Sequence, residues 1–172
     1  MNMQPTFSSL HSFVSYKFSN LRLRARLGQI WSKLTGKDSS LLVFPGQNDR
    51  VSPSRKLLGI KNIRVAEIVG TLNRETDFDS HFRPLKNHNE ARWINIYLLN
   101  EVDGWSPIAV HKVGDQYFVE DGHHRVSVAR ATGVEYIEAN VWEHAIQPKP
   151  AEVCHQTICC GGKHPSKAFV TG

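Results

Sequence analysis

The chain has 172 residues, 40% of them apolar, and its mixed charge pattern describes a soluble globular protein with one core and some appendage. No apolar run approaches the roughly 20 residues of a membrane-crossing helix. The three cysteines, Cys154, Cys159 and Cys160, all sit near the C-terminus, so the core is not a disulfide scaffold and a reducing, cytoplasmic setting is expected.

The formal charge of +5 is unevenly spread: residues 1–64 hold 11 Lys/Arg against 2 acids, and residues 65–145 hold 7 against 13. A basic N-terminal third suggests an arm that meets nucleic acid, a membrane surface or an acidic protein face, or that docks on its own acidic domain. Residues 1–19 are rich in Ser and aromatics, lack acids and show little periodicity. Ser, His and Lys interrupt the apolar residues, which argues against a secretory signal; an acid-free start also fits an organellar transit peptide. Residues 20–35 read as an amphipathic helix. Leu23, Leu27, Ile30, Trp31 and Leu34 form one stripe, and Gly36 is a C-cap. Arg22, Arg24, Arg26 and Lys33 are its candidate nucleic-acid contacts, with DNA the expected partner. The stripe either packs on the main domain or meets a nucleic-acid or membrane surface.

Residues 37–60 carry Pro45, Gly46, Pro53 and Gly59 and read as a connector with one short element, Leu41 to Phe44. Residues 63–70 form a short strand and turn, followed by the acidic, aromatic Asp77-Phe78-Asp79. Asn89 caps a helix from about Glu90 to Glu101, closed by Asp103-Gly104. Pro107 starts a strand, Ile108 to Val113; Gly114-Asp115 turns it, and Gln116 to Glu120 returns beside it. A helix follows to Thr132-Gly133, and Tyr136 to Trp142 alternates as a last strand. The expected fold is therefore α+β, a compact mixed sheet with helices over residues 61–146, preceded by a basic helical arm (1–60) and followed by a flexible tail (147–172). In that tail Cys154, His155, Cys159, Cys160 and His164 are soft ligands at short spacing. They lack a C-x2-C pair, so oxidisable thiols are expected there rather than zinc.

The strand-to-helix junction at residues 119–130 carries the chemistry. Its glycine sits where the chain turns, and a helix start presents free backbone N–H groups and a positive dipole end, a site suited to phosphate. Gly122 is the residue that needs a conformation forbidden to side chains. Arg125 can bind phosphate in bidentate fashion. His123 and His124 can donate to phosphate, or one can act as acid or base. Ser127 is near enough to help hold an anion. Glu120 and Asp121 flank the turn as candidate catalytic or Mg2+-holding carboxylates. The i, i+2 spacing of Asp77 and Asp79 lets both reach one metal ion.

These residues resemble a known pattern. The stretch from about Ile63 to Val141 is similar to the ParB/sulfiredoxin fold, the N-terminal domain of ParB partition proteins and the sulfiredoxins. Gly122-His123-His124-Arg125, with Ala129 after it, stands where ParB proteins carry G-E-R-R and sulfiredoxins G-C-H-R. Pro107-Ile108-Ala109-Val110 matches the strand before that motif, and Ile68 to Arg74 echoes an earlier ParB box. The resemblance implies a nucleotide cofactor, CTP or ATP with Mg2+, with Arg74 reaching the phosphates from the opposite wall. It implies Glu67 as a general base if the protein is a kinase like the serine kinases of this fold. His123 in place of the catalytic Cys argues against sulfinic acid reduction. The expectation is a nucleotide-binding, nucleic-acid-associated regulator or accessory factor, with a homodimer one of its forms. The alternative is a Mg2+-dependent phosphotransferase, NTPase or nuclease built on the same cradle.

Overall fold

The computed structural model of the protein describes residues 7–36, 38–47, 51–100 and 104–146. Helix α1 (Phe7–Thr35) precedes strands β1 (Leu42–Val43), β2 (Val51–Arg64) and β3 (Ile68–Thr71). Helix α2 (Glu90–Asn100), strands β4 (Ile108–Val113) and β5 (Gln116–Asp121), helix α3 (His123–Thr132) and strand β6 (Tyr136–Ile146) follow. One six-stranded mixed sheet runs in the order β1-β3-β5-β4-β6-β2. β1, β3 and β5 are parallel neighbours, β4 pairs antiparallel with β5 and parallel with β6, and β2 closes the far edge antiparallel to β6. The expected α+β class and the β4–β5 hairpin at Gly114-Asp115 are both present.

Strand alternation decides the core. Val110, Val119, Ala139 and Val141 point to one face of the sheet, where Val126 and Ala129 of α3 cover them and Phe78 and Phe82 close the end. The outer side of α3 presents Val128 to Trp93 and Ile94 of α2 and to Val14 and Phe18 of α1. Each such fully buried Val or Phe contributes about 1.5–3 kcal/mol relative to exposure. The Trp93 indole, fully buried, satisfies its N–H by donating to Ser127 Oγ at 3.0 Å.

Three sequence expectations change. The N-terminal helix starts at Phe7 rather than near residue 20, and its docked face is Val14, Phe18 and Ala25, all fully buried. The stripe of Leu23, Leu27, Ile30, Trp31 and Leu34 is instead exposed. Second, Val51–Arg64 is not connector but a 14-residue strand. It is an edge strand, where proline is tolerated; Pro53 falls between Val51 and Arg55, where the register against β6 shifts, and Gly59 (φ 80°) sits at a second shift. Third, Asn89 ends a 3-10 turn (Asn87–Asn89) before α2, with its Nδ2 buried and without a partner among the described residues. The Cys/His tail expected at 147–172 lies outside the described residues, as do Glu101 and Asp103.

Candidate functional site

The candidate site lies where β5 ends. Gly122 adopts φ 102°, ψ 18°, left-handed space that glycine enters freely, and a Cβ there would run into Cγ2 of Ile108. The turn therefore requires glycine on two counts. Val126 N–H donates to the Gly122 carbonyl at 3.0 Å, the first bond of α3. The amides of His123, His124 and Arg125 precede that bond, and no side chain among the described residues caps them. They open on a small cleft of about 30 Å3, lined by Arg74, Arg92, Ile96, Asp121, Gly122, His123, His124 and Arg125. Of the expected phosphate-binding set, the fold thus gathers Gly122, His123, His124, Arg125 and Arg74.

The two histidines are less free than their positions suggest. Thr71 Oγ1 accepts the N–H groups of Asn73 (3.2 Å) and Arg74 (3.0 Å), so its single proton goes to His123 Nε2, 2.6 Å away. That contact makes Nε2 an acceptor already in use and ties the end of β3 to the start of α3. His123 stacks on Phe78, and His124 meets the same ring edge-on. Burial, aided by the Arg74 cation, pushes His123 down to about 4. Burial and then the Arg92 and Arg74 cations push His124 down to about 4 as well. Both rings are neutral near pH 7, and His124 Nδ1 is buried with no partner among the described residues.

Arg125 is braced. Its Nη1 donates to the Ser106 carbonyl (2.6 Å), Ser106 Oγ (3.0 Å) and the Pro107 carbonyl (3.1 Å), and its Nη2 to Asp121 Oδ2 (2.6 Å). It fixes the approach to β4 while lending positive charge to the cleft. Arg74 shares Asp77 at 3.1 Å. Arg92, on the exposed side of α2, has no hydrogen bond or ion pair among the described residues, which leaves its five N–H donors for a ligand. Sequence reasoning passed over Arg92 and Thr71; the one available signal was that Arg92 falls off the apolar face of a helix.

Several expected site residues go elsewhere. Ser127 faces α2 and accepts the Trp93 bond. Glu67 sits in a 3-10 turn before β3, at the opposite end of that strand from Thr71 and the cleft. Asp77 is held by Lys86 (2.7 Å) and Arg74 (3.1 Å). Burial acts to raise its pKa, but those two cationic donors outweigh burial and leave it below the usual range. Asp79 pairs with Arg83 Nε at 2.7 Å and accepts the N–H groups of His81 and Arg83. The two carboxylates therefore serve separate cations, and no cluster of three or more metal-ligating side chains occurs among the described residues.

Glu120 is also displaced, because a strand turns successive side chains to opposite faces. Asp121 borders the cleft, whereas Glu120 Oε2 lies on the other side of the sheet, 3.0 Å from His111 Nε2. His111 Nδ1 in turn lies 2.7 Å from His144 Nε2, and Phe44 covers both rings. Burial lowers the His111 pKa despite the neighbouring carboxylate.

No protein-family model matches the sequence, and no curated protein matches it. Among solved structures, the chain is similar to a crystal structure of sulfiredoxin from Arabidopsis thaliana, at a TM-score of 0.37 and 19% identity. The match covers 48% of this chain and 82% of that one, a partial similarity of fold from which no chemistry follows.

Proposed function

We propose that the protein binds the phosphate groups of a nucleoside triphosphate, CTP or ATP with Mg2+, in the cleft at the start of α3. The observation that carries this reading is the uncapped N-terminus of α3, opening between Arg74, Arg92 and Arg125. The first-turn backbone N–H groups, the helix dipole and the guanidinium groups border one small, open cleft of about 30 Å3, a surface cradle for a phosphate and not an enclosing pocket. Base and ribose would lie outside it. The choice of a nucleotide rests on the resemblance of Gly122-His123-His124-Arg125 to the ParB/sulfiredoxin motif.

Binding is favoured over turnover because the carboxylates are dispersed. Asp121 alone among the expected acids borders the cleft, enough to help hold a Mg2+ that arrives with phosphates. His123 is engaged by Thr71, and Glu67 and Glu120 are directed elsewhere. Calorimetric titration with the four nucleoside triphosphates and Mg2+ tests the reading. Wild-type protein binds at least one of them, and Arg92→Ala weakens that binding about tenfold or more. Failure of the wild type to bind any nucleotide sinks the proposal. The phosphotransferase or nuclease alternative gains if substrate turnover appears and Asp121→Asn abolishes it.

A further inference from the structure

Helix α1 has two apolar faces, and the fold covers one of them. Val14 and Phe18 are buried against α2 and α3, and Ala25, further along the same face, is fully buried too. On the other side Leu23, Leu27, Ile30, Trp31 and Leu34 are 56–76% exposed. Phe13 and Tyr16, 50% and 65% exposed, extend the same stripe toward the N-terminus. At 3.6 residues per turn these seven side chains fall within an arc of about 100°, and the 29-residue helix runs for roughly 44 Å. The stripe, interrupted by Asn20 between Tyr16 and Leu23, is an exposed apolar patch of the kind that marks a surface something else covers.

The charges on its borders indicate what that is. Arg22, Arg26 and Lys33 line one edge of the stripe, Lys17 and Arg24 the other, and α1 contains no Asp or Glu. Arg22, Arg24, Arg26 and Lys33 make no hydrogen bond or ion pair among the described residues, whereas Lys17 donates to Tyr97 Oη and sits over the Phe13 ring. Pairing with a second copy along the stripe would set like charges against each other, where paired helices need opposite ones. DNA would use the cations but leave Leu23, Leu27, Ile30 and Leu34 in water, since duplex binding is carried by phosphate contacts. An apolar stripe with Trp and Tyr on it, bordered on both sides by Lys and Arg, satisfies one surface at every position: the headgroup layer of an anionic bilayer. No described helix is long and apolar enough to cross a membrane, so the contact is lateral.

We propose that α1 lies along an anionic lipid surface, its exposed stripe buried among the headgroups and the sheet domain held on its docked face. The proposal is independent of the nucleotide reading.

Vesicle co-sedimentation of the full chain tests it, with phosphatidylcholine vesicles prepared with and without phosphatidylserine. The protein sediments with the anionic vesicles, less so as salt rises, and poorly with neutral ones. Trp31→Ser with Leu34→Ser removes two largely exposed side chains outside the buried core, so the helix and domain persist by circular dichroism while vesicle binding drops about tenfold or more. Replacing Arg24, Arg26 and Lys33 by Gln lowers binding to anionic vesicles by about fivefold per charge and leaves the weak neutral binding unchanged. No vesicle binding, or binding indifferent to the Trp31/Leu34 variant, overturns the proposal. So does a wild-type dimer that this variant dissociates, which assigns the stripe to a second copy. Tight, salt-sensitive duplex binding lost with the cations but indifferent to the Trp31/Leu34 variant assigns α1 to nucleic acid instead.

Discussion

Glu120 and Asp121 are adjacent in the chain and belong to different halves of the molecule. Asp121 borders the cleft with Arg125, beneath the helices. Glu120 closes a hydrogen-bonded line of His111 and His144 on the opposite face, under Phe44. Each side holds two buried histidines, but they are satisfied differently. The cleft pair sits among arginines and has one nitrogen without a partner, while the His111 pair is linked to a carboxylate. A helix start with N–H groups that no described side chain caps, beside Arg74, Arg92 and Arg125, is the basis of the proposed phosphate site. The other face supplies its own anion, Glu120.

The largest expected difference between the two sides appears with acid. His123 and His124 titrate near 4 in the folded chain against 6.5 for the free side chain. As pH falls the unfolded chain takes up protons first, so the stability these rings contribute is complete above 6.5 and is lost between 6.5 and 4. A tenfold change in proton affinity is worth about 1.4 kcal/mol, so the loss is on the order of 3 kcal/mol per ring. Urea unfolding across that window, with imidazole titrations followed by NMR, checks it; flat stability there contradicts the burial assigned to the pair.

Gly122→Ala comes next. It forces a side chain into left-handed backbone and against Ile108, at about 2–4 kcal/mol, read as a lower urea midpoint. Thr71→Val keeps the shape but strands His123 Nε2 and two backbone N–H groups, for about 1–3 kcal/mol by the same measurement. Smallest in stability, and most direct as a comparison, are the two neighbouring acids. Glu120→Gln and Asp121→Asn each change stability by less than about 1 kcal/mol, since both side chains are substantially exposed. Only Asp121→Asn alters phosphate affinity, raising that for free phosphate by removing a negative charge from the rim. Equal effects of the two substitutions on phosphate binding would erase the distinction between the two sides.

The hairpin of β4 and β5, the turn at Gly122, helix α3 and the span of α2 were legible because each depends on neighbours in sequence: alternation, turn glycines and a 3.6-residue period. The first half of α1 was not, for a physical reason visible in its packing. Val14 and Phe18 repeat at helical spacing, but Phe13 and Tyr16 of the second apolar face are interleaved with them and blur the period. β2 was hidden by Pro53 and Gly59, which read as turn residues and are tolerated because the strand lies at the sheet edge.

The candidate site divides in the same way. Local sequence was enough to locate the helix start at Gly122 and to name His124 and Arg125 as its neighbours, since backbone amides and dipole come with the turn itself. Which other groups join it was decided by tertiary structure. Strand alternation sent Glu120 to the far face. The Arg74, Arg83 and Lys86 cations claimed Asp77 and Asp79, and the packing of α2 on α3 took Ser127 and brought Arg92 to the cleft. A charged side chain's partner is chosen by proximity in space, and the spacing of residues along a chain does not encode it.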